Sequence, residues 1–233
     1  MNSALTTANI RDILTRGNWF SGLNDHLQQQ LFKLGKQIKL QSGERLFSRG
    51  DQPCGLYAVL SGNIRITGTG INGKEAILTL VEAPQWFGEI ALFDNQARTH
   101  DAMAESSCLL WNIPQNKLTD LLYQHPEYWQ DFGKLLTHKL RLAFQLIEDV
   151  ALLPALPRLA RRLLIMGEES DPGNICLSIP QEVLGSMLGI SRQTTNQILK
   201  ELEQKGIIRL ARSQIEILDP ARLQQIAGNM LSA

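Results

Sequence analysis

The chain has 233 residues, 43% of them hydrophobic and 20% charged, the balance of a globular protein of one large or two ordinary domains. Lysine plus arginine and aspartate plus glutamate stand at 23 each, which argues against a protein coated in nucleic acid and leaves room for a local basic face only. No apolar run reaches the roughly 20 residues that span a bilayer, and the N-terminal MNSALTTANIRDILTRGNWF lacks the basic start and apolar centre of a signal peptide, so a cytoplasmic protein that makes no membrane contact is expected.

From about residue 40 to 113 the sequence is rich in glycine, threonine and the aliphatics isoleucine, valine and leucine, in short alternations. Leu56–Leu60, Asn63–Thr67 and Ala76–Val81 read as short strands separated by turns. Asn72-Gly73 marks a hairpin, because both turn positions need positive φ. Many short strands with such turns predict an antiparallel roll or barrel. Cys54, Cys108 and Cys176 are scattered, with no CxxC pair, so ordinary thiols are expected rather than a metal or disulfide framework.

After His125-Pro126 the pattern changes. Residues 127–153 hold a single glycine, Gly133, and no proline, with apolar residues at Phe132, Leu135, Leu136, Leu142, Ala143, Leu146, Val150 and Leu153. Those spacings predict one helix, roughly 40 Å long at about 1.5 Å per residue. A helix of that length exceeds what a small roll covers. Its second surface is either a second copy of itself or another part of the same chain, and the expectation is a dimer helix. Pro154 and Pro157 end it and mark a hinge. Beyond them, Arg158–Met166 reads as an amphipathic helix and Asp171-Pro172-Gly173-Asn174 as a turn.

The segment IPQEVLGSMLGISRQTTNQILKELEQKGIIRL carries the chemistry. Pro180 suits a first helical position. Val183, Leu184, Met187 and Leu188 make an inward face, Gly189 permits a sharp turn, and Ile190 fills the angle. Ser191 is the candidate N-cap of a second helix ending near Gln204. On it, Thr195, Ile198, Leu199 and Leu202 face inward, while Arg192, Gln193, Asn196, Gln197 and Lys200 face outward. Such a face at a helix start is what major-groove reading requires. Arginine pairs with guanine and glutamine with adenine in two-pronged geometry, and Lys200 reaches phosphate. From 191 to 212 five basic residues (Arg192, Lys200, Lys205, Arg209 and Arg212) oppose Glu201 and Glu203. Residues 206–210 and 214–217 alternate as a two-stranded wing. The competing reading is a solvated helix of an unrelated bundle.

Three stretches together resemble one family: Gly43-Glu44-Arg45-Leu46-Phe47-Ser48-Arg49-Gly50-Asp51, Gly88-Glu89-Ile90-Ala91-Leu92-Phe93, and Gly189-Ile190-Ser191-Arg192-Gln193-Thr194. The chain is similar to the CRP/FNR superfamily of transcription regulators over nearly its whole length. The resemblance implies an α+β chain. Its parts are a cyclic-nucleotide-binding-type β-roll (jelly roll) over 1–125, a dimerisation helix and hinge over 126–154, and a winged helix-turn-helix over 155–233. It also implies a homodimer on a palindromic operator of double-stranded DNA, with RNA polymerase as a further partner. Ser191, Arg192, Gln193, Thr194, Asn196, Gln197 and Lys200 are the DNA-contacting candidates, with Arg192, Gln193 and Gln197 as the base readers. The founding member carries Arg, Glu and Arg at those three places, so a different half-site is expected here.

By the same resemblance, Gly88, Glu89, Ala91, Arg98 and Thr99 form a phosphate-binding cassette. Arg98 would pair with a cyclic phosphate, Thr99 would add a hydroxyl, and Glu89 would accept from a ribose 2′-OH. The competing reading is an internal Glu89–Arg98 ion pair. The adjacent Thr-Ser that contacts adenine in the cyclic-AMP receptor is matched by Ala143 and Phe144, which cannot hydrogen-bond a base edge, although Phe144 can stack on one. The effector is therefore a cyclic nucleotide or another small ligand, with cyclic AMP itself disfavoured. His100 reads as a structural histidine. Without clustered N-terminal cysteines no iron–sulfur cluster is expected. His26, His100, His125 and His138 lack the spacing of a cupin enzyme's metal site, so no catalysis is expected. The alternative to an effector-gated regulator is a constitutive one whose roll serves only as a dimerisation scaffold.

Overall fold

The computed structural model describes residues 6–71, 73, 75–169, 176–211 and 213–228. The turn read at residues 171–174, together with Asn72 and Arg212, lies outside them. The chain divides into two compact units, Met1–Arg141 and Leu142–Ala233.

The first unit opens with three helices that the strand-based reading did not foresee: α1 (Thr7–Thr15), α2 (Asn18–Ser21) and α3 (Asp25–Leu34). The starts of α1 and α3 are capped by side chains. Thr6 accepts from the Asn9 N–H and Asn24 from the Leu27 N–H. Strands β1 (Lys36–Leu40), β2 (Arg45–Phe47), β3 (Gly55–Ser61), β4 (Asn63–Thr69), β5 (Glu75–Glu82) and β6 (Trp86–Phe87) follow. Helix α4 (Ile90–Asp94), strands β7 (Asp101–Ala104) and β8 (Cys108–Pro114), and helix α5 (Gln115–Gln124) come next. A short 3-10 turn over Pro126–Tyr128 leads into α6 (Trp129–Leu152).

The strands form two four-stranded antiparallel sheets, ordered β1-β8-β3-β6 and β2-β7-β4-β5. β4 and β5 pair as the hairpin pattern requires, with Thr69 opposite Glu75. β3 is buried on both faces, because side chains alternate along a strand. Tyr57 and Val59 enter the core between the sheets, while Leu56, Ala58 and Leu60 enter a second core beneath the N-terminal helices, α5 and the start of α6. Trp19 organises that second core. Its ring lies edge-on to Trp86 at 5.3 Å and to Phe132 at 5.4 Å, and its indole N–H donates to the Asp131 carbonyl at 2.8 Å.

α6 confirms the long helix and divides its apolar residues in two. Phe132 and Leu135 are buried, and Leu142, Leu146 and Leu153 are half-buried. Leu140, Phe144, Ile147, Val150 and Leu152 are exposed. Leu136 is half-buried and Ala143 exposed.

The second unit holds the end of α6, then α7 (Ala155–Glu169), β9 (Cys176–Leu177), α8 (Gln181–Leu188), α9 (Arg192–Gln204), β10 (Ile208–Ala211), β11 (Gln214–Ile217) and α10 (Pro220–Ala227). Pro157 falls in the first turn of α7, where a missing N–H removes no helical bond. The two-stranded wing gains β9 as a third strand, in the order β10-β11-β9. Leu159, Leu163, Leu177, Leu184, Leu199, Ile215 and Leu223 fill this core. The buried Asp149 near the end of α6 meets the Arg161 guanidinium of α7 at 2.6 Å, and Arg161 also donates to the Ala227 carbonyl of α10 at 3.1 Å.

Candidate nucleic-acid interface and anion site

The helix-turn-helix is built by local signals. Pro180 is the N-cap of α8 rather than its first residue, with extended backbone. α8 ends on Gly189 at φ 65°, a left-handed cap that a side chain would strain. The Ile190 N–H then bonds the Gly185 carbonyl, and Ser191 caps α9 by accepting from the Thr194 N–H at 3.0 Å. Thr195, Ile198, Leu199 and Leu202 are buried as expected. Gly185 sets the spacing of the two helices: a Cβ there would sit 2.6 Å from the Thr195 hydroxyl oxygen. A glycine inside a predicted helix was the available signal for this close approach, and the expected inward face did not include it.

The outward face is narrower than expected. Arg192, Gln193, Gln197 and Lys200 are exposed. Asn196 is half-buried, and its side-chain carbonyl oxygen is enclosed with no hydrogen-bond partner among the described residues. At about 100° per residue it sits on the border between the two faces. Thr194 is half-buried too, its hydroxyl 2.8 Å from that of Ser191. The basic excess is also redistributed. Lys205 pairs with Glu201 at 2.6 Å and Arg209 with Glu216 at 2.8 Å. Arg192, 73% exposed, has Glu182 only at 3.9 Å, a contact worth little in water. Among the described residues, the positive charge without a close acidic partner therefore lies at the start and middle of α9, on Arg192 and Lys200. The surface can offer a planar donor fork, amides and an ammonium to a duplex groove.

The cassette lies between β6 and β7. Gly88 has φ 96°, and a Cβ on it would lie 2.9 Å from the Gly55 carbonyl oxygen and 3.1 Å from the Arg98 guanidinium, so only glycine fits. Arg98 is 5% exposed. It donates to the carbonyls of Gly88 at 2.9 Å and Gly55 at 2.6 Å and to the Cys54 thiol at 3.1 Å. Its guanidinium lies 4.4 Å above the Phe47 ring. Its Nε is enclosed without a partner, and no carboxylate pairs with it among the described residues. Burial and the neighbouring Cys54 push the Tyr57 hydroxyl well up, against the opposing pull of Arg98.

An internal Glu89–Arg98 pair does not form. Glu89, 3% exposed, meets the Lys139 ammonium of α6 at 3.2 Å. Ala91 is buried in α4. Thr99 is exposed, its hydroxyl 2.9 Å from His100 Nδ1 and its carbonyl accepting from Arg49 at 2.7 Å. Burial lowers the pKa of His100, and Arg49 adds to this against Asp101, in keeping with a structural histidine. Phe144 lies on the part of α6 in the second unit, 59% exposed. The sequence reading missed Lys139, Phe47, Tyr57 and Cys54, all distant in the chain from the cassette. Among the described residues no group of three or more His, Cys, Asp or Glu can hold a metal ion, and no helix is long and apolar enough to cross a membrane.

Comparison with known proteins agrees with this geometry. Residues 37–125 match the family model of the cyclic nucleotide-binding domain, and residues 157–226 that of the Crp-like helix-turn-helix domain. The chain is 25% identical over 221 residues to a CRP-like cAMP-activated global transcriptional regulator of Mycobacterium tuberculosis, covering 93% of this chain and 99% of that protein. It is 28% identical over 203 residues to a cyclic AMP receptor protein of Thermus thermophilus, covering 87% and 89%. Among solved structures, FixK2 of Bradyrhizobium japonicum shares the fold at TM-score 0.77 and 17% identity, covering 84% of this chain and 98% of that one. A CRP/FNR-family transcriptional regulator of Thermus thermophilus superposes at TM-score 0.63 with 28% identity, covering 82% and 98%.

Proposed function

We propose that this chain, which belongs to the CRP/FNR superfamily of DNA-binding transcription regulators, acts as a homodimer on a two-fold operator and that a small anionic effector in the roll sets its affinity for DNA. The regulator is not an enzyme. Arg192, Gln193, Gln197 and Lys200 read and hold the half-site, with Ser191 and Thr194 fixing the helix start and Asn196 at its edge. RNA polymerase is the further partner and the cytoplasm the place of action.

Two observations support the two halves of this reading. The dimer rests on the exposed apolar residues Leu140, Phe144, Ile147 and Val150 of α6, a stripe that a second helix of the same kind can cover. Gating rests on Arg98. A buried guanidinium hydrogen-bonded only to neutral groups lacks a counter-charge, and an anion supplies one. Gly88, Glu89, Ala91 and Thr99 would complete its surroundings. A ligand that favours one arrangement of the roll shifts the population of DNA-competent dimers by its differential affinity for the two states.

One observation favours the constitutive alternative. The Arg98 donors already point to the Gly88 and Gly55 carbonyls, so the roll can stay closed without a ligand. Calorimetric titration with cyclic AMP and with cyclic GMP, paired with operator binding in their presence and absence, separates the two. Gating requires a nucleotide or related anion that binds and changes operator affinity at least severalfold. Operator affinity indifferent to every anion that binds the roll assigns the scaffold role.

A further inference from the structure

α6 contains a glycine that the chain's own packing does not require. Gly133 lies inside the helix, and a Cβ built on it meets nothing within 4 Å. Glycine in a helix interior is less favourable than alanine. The position gains a reason from the periodicity of the exposed stripe. Gly133, Leu140 and Ile147 are seven apart, as are Trp129, Leu136, Ala143 and Val150, and the two series interleave at four and three. These are the a and d positions of a two-stranded parallel coiled coil. Trp129, Leu140, Ile147 and Val150 all keep exposed surface, whereas Phe132 and Leu135, which the chain itself covers, lie off this seam.

In such a pair a d side chain enters a hole bordered by the a residue four positions further along the partner helix. The d residue Trp129 then falls against the partner's Gly133, the one a position without a side chain. Trp129 is also in contact with α4: the Phe93 ring lies 5.3 Å from it at 54°, and Phe93 and Ile90 keep their outer surfaces exposed. We propose that Trp129 and Gly133 form the first layer of the seam between two copies, and that Phe93, resting on Trp129, makes the cassette helix α4 part of that layer. This rests on the homodimer reading. It adds that movement of α4 reaches the subunit interface directly, at the N-terminal end of α6.

Single-cysteine additions at two heights of the seam test it on the full chain. Trp129→Cys and Ile147→Cys should each give an inter-chain disulfide under mild oxidation that the parent, with Cys54, Cys108 and Cys176, does not give. Gly133→Ala should raise the dimer dissociation constant about tenfold by sedimentation, because its methyl meets the partner's indole. A glycine without a partner has the opposite signature: an unchanged constant and a higher thermal midpoint. Phe93→Ala, with its circular dichroism unchanged, should weaken the dimer several-fold. Cross-linking at 147 but not at 129, with Gly133→Ala neutral, overturns the proposal and leaves the homodimer standing. A chain that sediments as one copy at every concentration and cross-links at neither position overturns both. A Phe93→Ala dimer as tight as the parent removes α4 from the seam.

Discussion

The cassette and the α9 helix each carry an arginine that the proposed function uses, and the two are held in opposite ways. Arg98 is enclosed by Phe47, the Gly55 and Gly88 carbonyls and the Cys54 thiol. Arg192 stands in water, with Glu182 at 3.9 Å. A buried cation is preorganised, and its charge is felt strongly in a low dielectric, so it suits a small ligand that enters the protein. An exposed cation exchanges water and salt for a phosphate or a base edge, so it suits a surface as large as a duplex. The proposed function thus assigns the same residue type to a sensing region and a reading region, with burial as the difference between them.

Five changes test that division, from the largest expected effect to the smallest. Ile147→Lys puts a charge into the α6 seam of each copy. Operator affinity by gel shift should fall by about 10²–10⁴, the avidity lost when two half-sites are no longer engaged together, while each unit keeps its fold.

The arginines themselves come next. Arg192→Ala should lose about 1–3 kcal/mol of discrimination at one base pair, and equal weakening on specific and random duplexes would contradict base reading. Arg98→Ala should remove any anion-dependent change in operator affinity while leaving ligand-free binding within about threefold, the range of a change remote from the groove.

Gly185→Val tests the geometry of the reading region. Its side chain enters a space where even a Cβ lies 2.6 Å from the Thr195 hydroxyl oxygen. Overpacking of this kind costs about 1–3 kcal/mol, measured as a lower thermal midpoint. Thr195→Ala in the same chain should recover part of it, a non-additivity that distant sites do not show.

The smallest effect is on pH. Burial raises the Asp149 carboxyl above its ordinary 3.8, against the opposing Arg161. A raised folded value means that the group's stabilising contribution is fully present below 3.8 and is lost as pH rises through the folded value. Thermal midpoints of parent and Asp149→Asn should therefore diverge on raising the pH from 4 towards 7, with the parent losing more. Parallel profiles would show that Asp149 keeps an ordinary carboxyl.

The two regions were unequally legible. α8, the Gly189 turn, the Ser191 cap and α9 are written in neighbouring residues, and they form as read. β3, β4 and β5 were equally plain, because an apolar run and two alternating ones sit between turns. α1 and α3 carried their signals in the Thr6 and Asn24 caps and in the pairs Ile10/Leu14 and Leu27/Leu31, which the strand-based reading passed over. The candidate anion site was legible only as a motif. Its competing Glu89–Arg98 pair fails because Lys139, 50 positions from Glu89, takes the carboxylate, while Phe47, 51 residues before Arg98, lies under the guanidinium. The border position of Asn196 depends on tertiary packing in the same way, as does the split of α6 into a covered face and an exposed apolar stripe.

Selection of bound duplexes from a random pool by the full-length chain, followed by measurement of the protein-to-duplex ratio, tests most directly the claim that this regulator reads DNA as a pair. The expected result is a two-fold symmetric site holding two chains, with half-sites about one helical turn apart. A selected site without symmetry, occupied by a single chain, would contradict it.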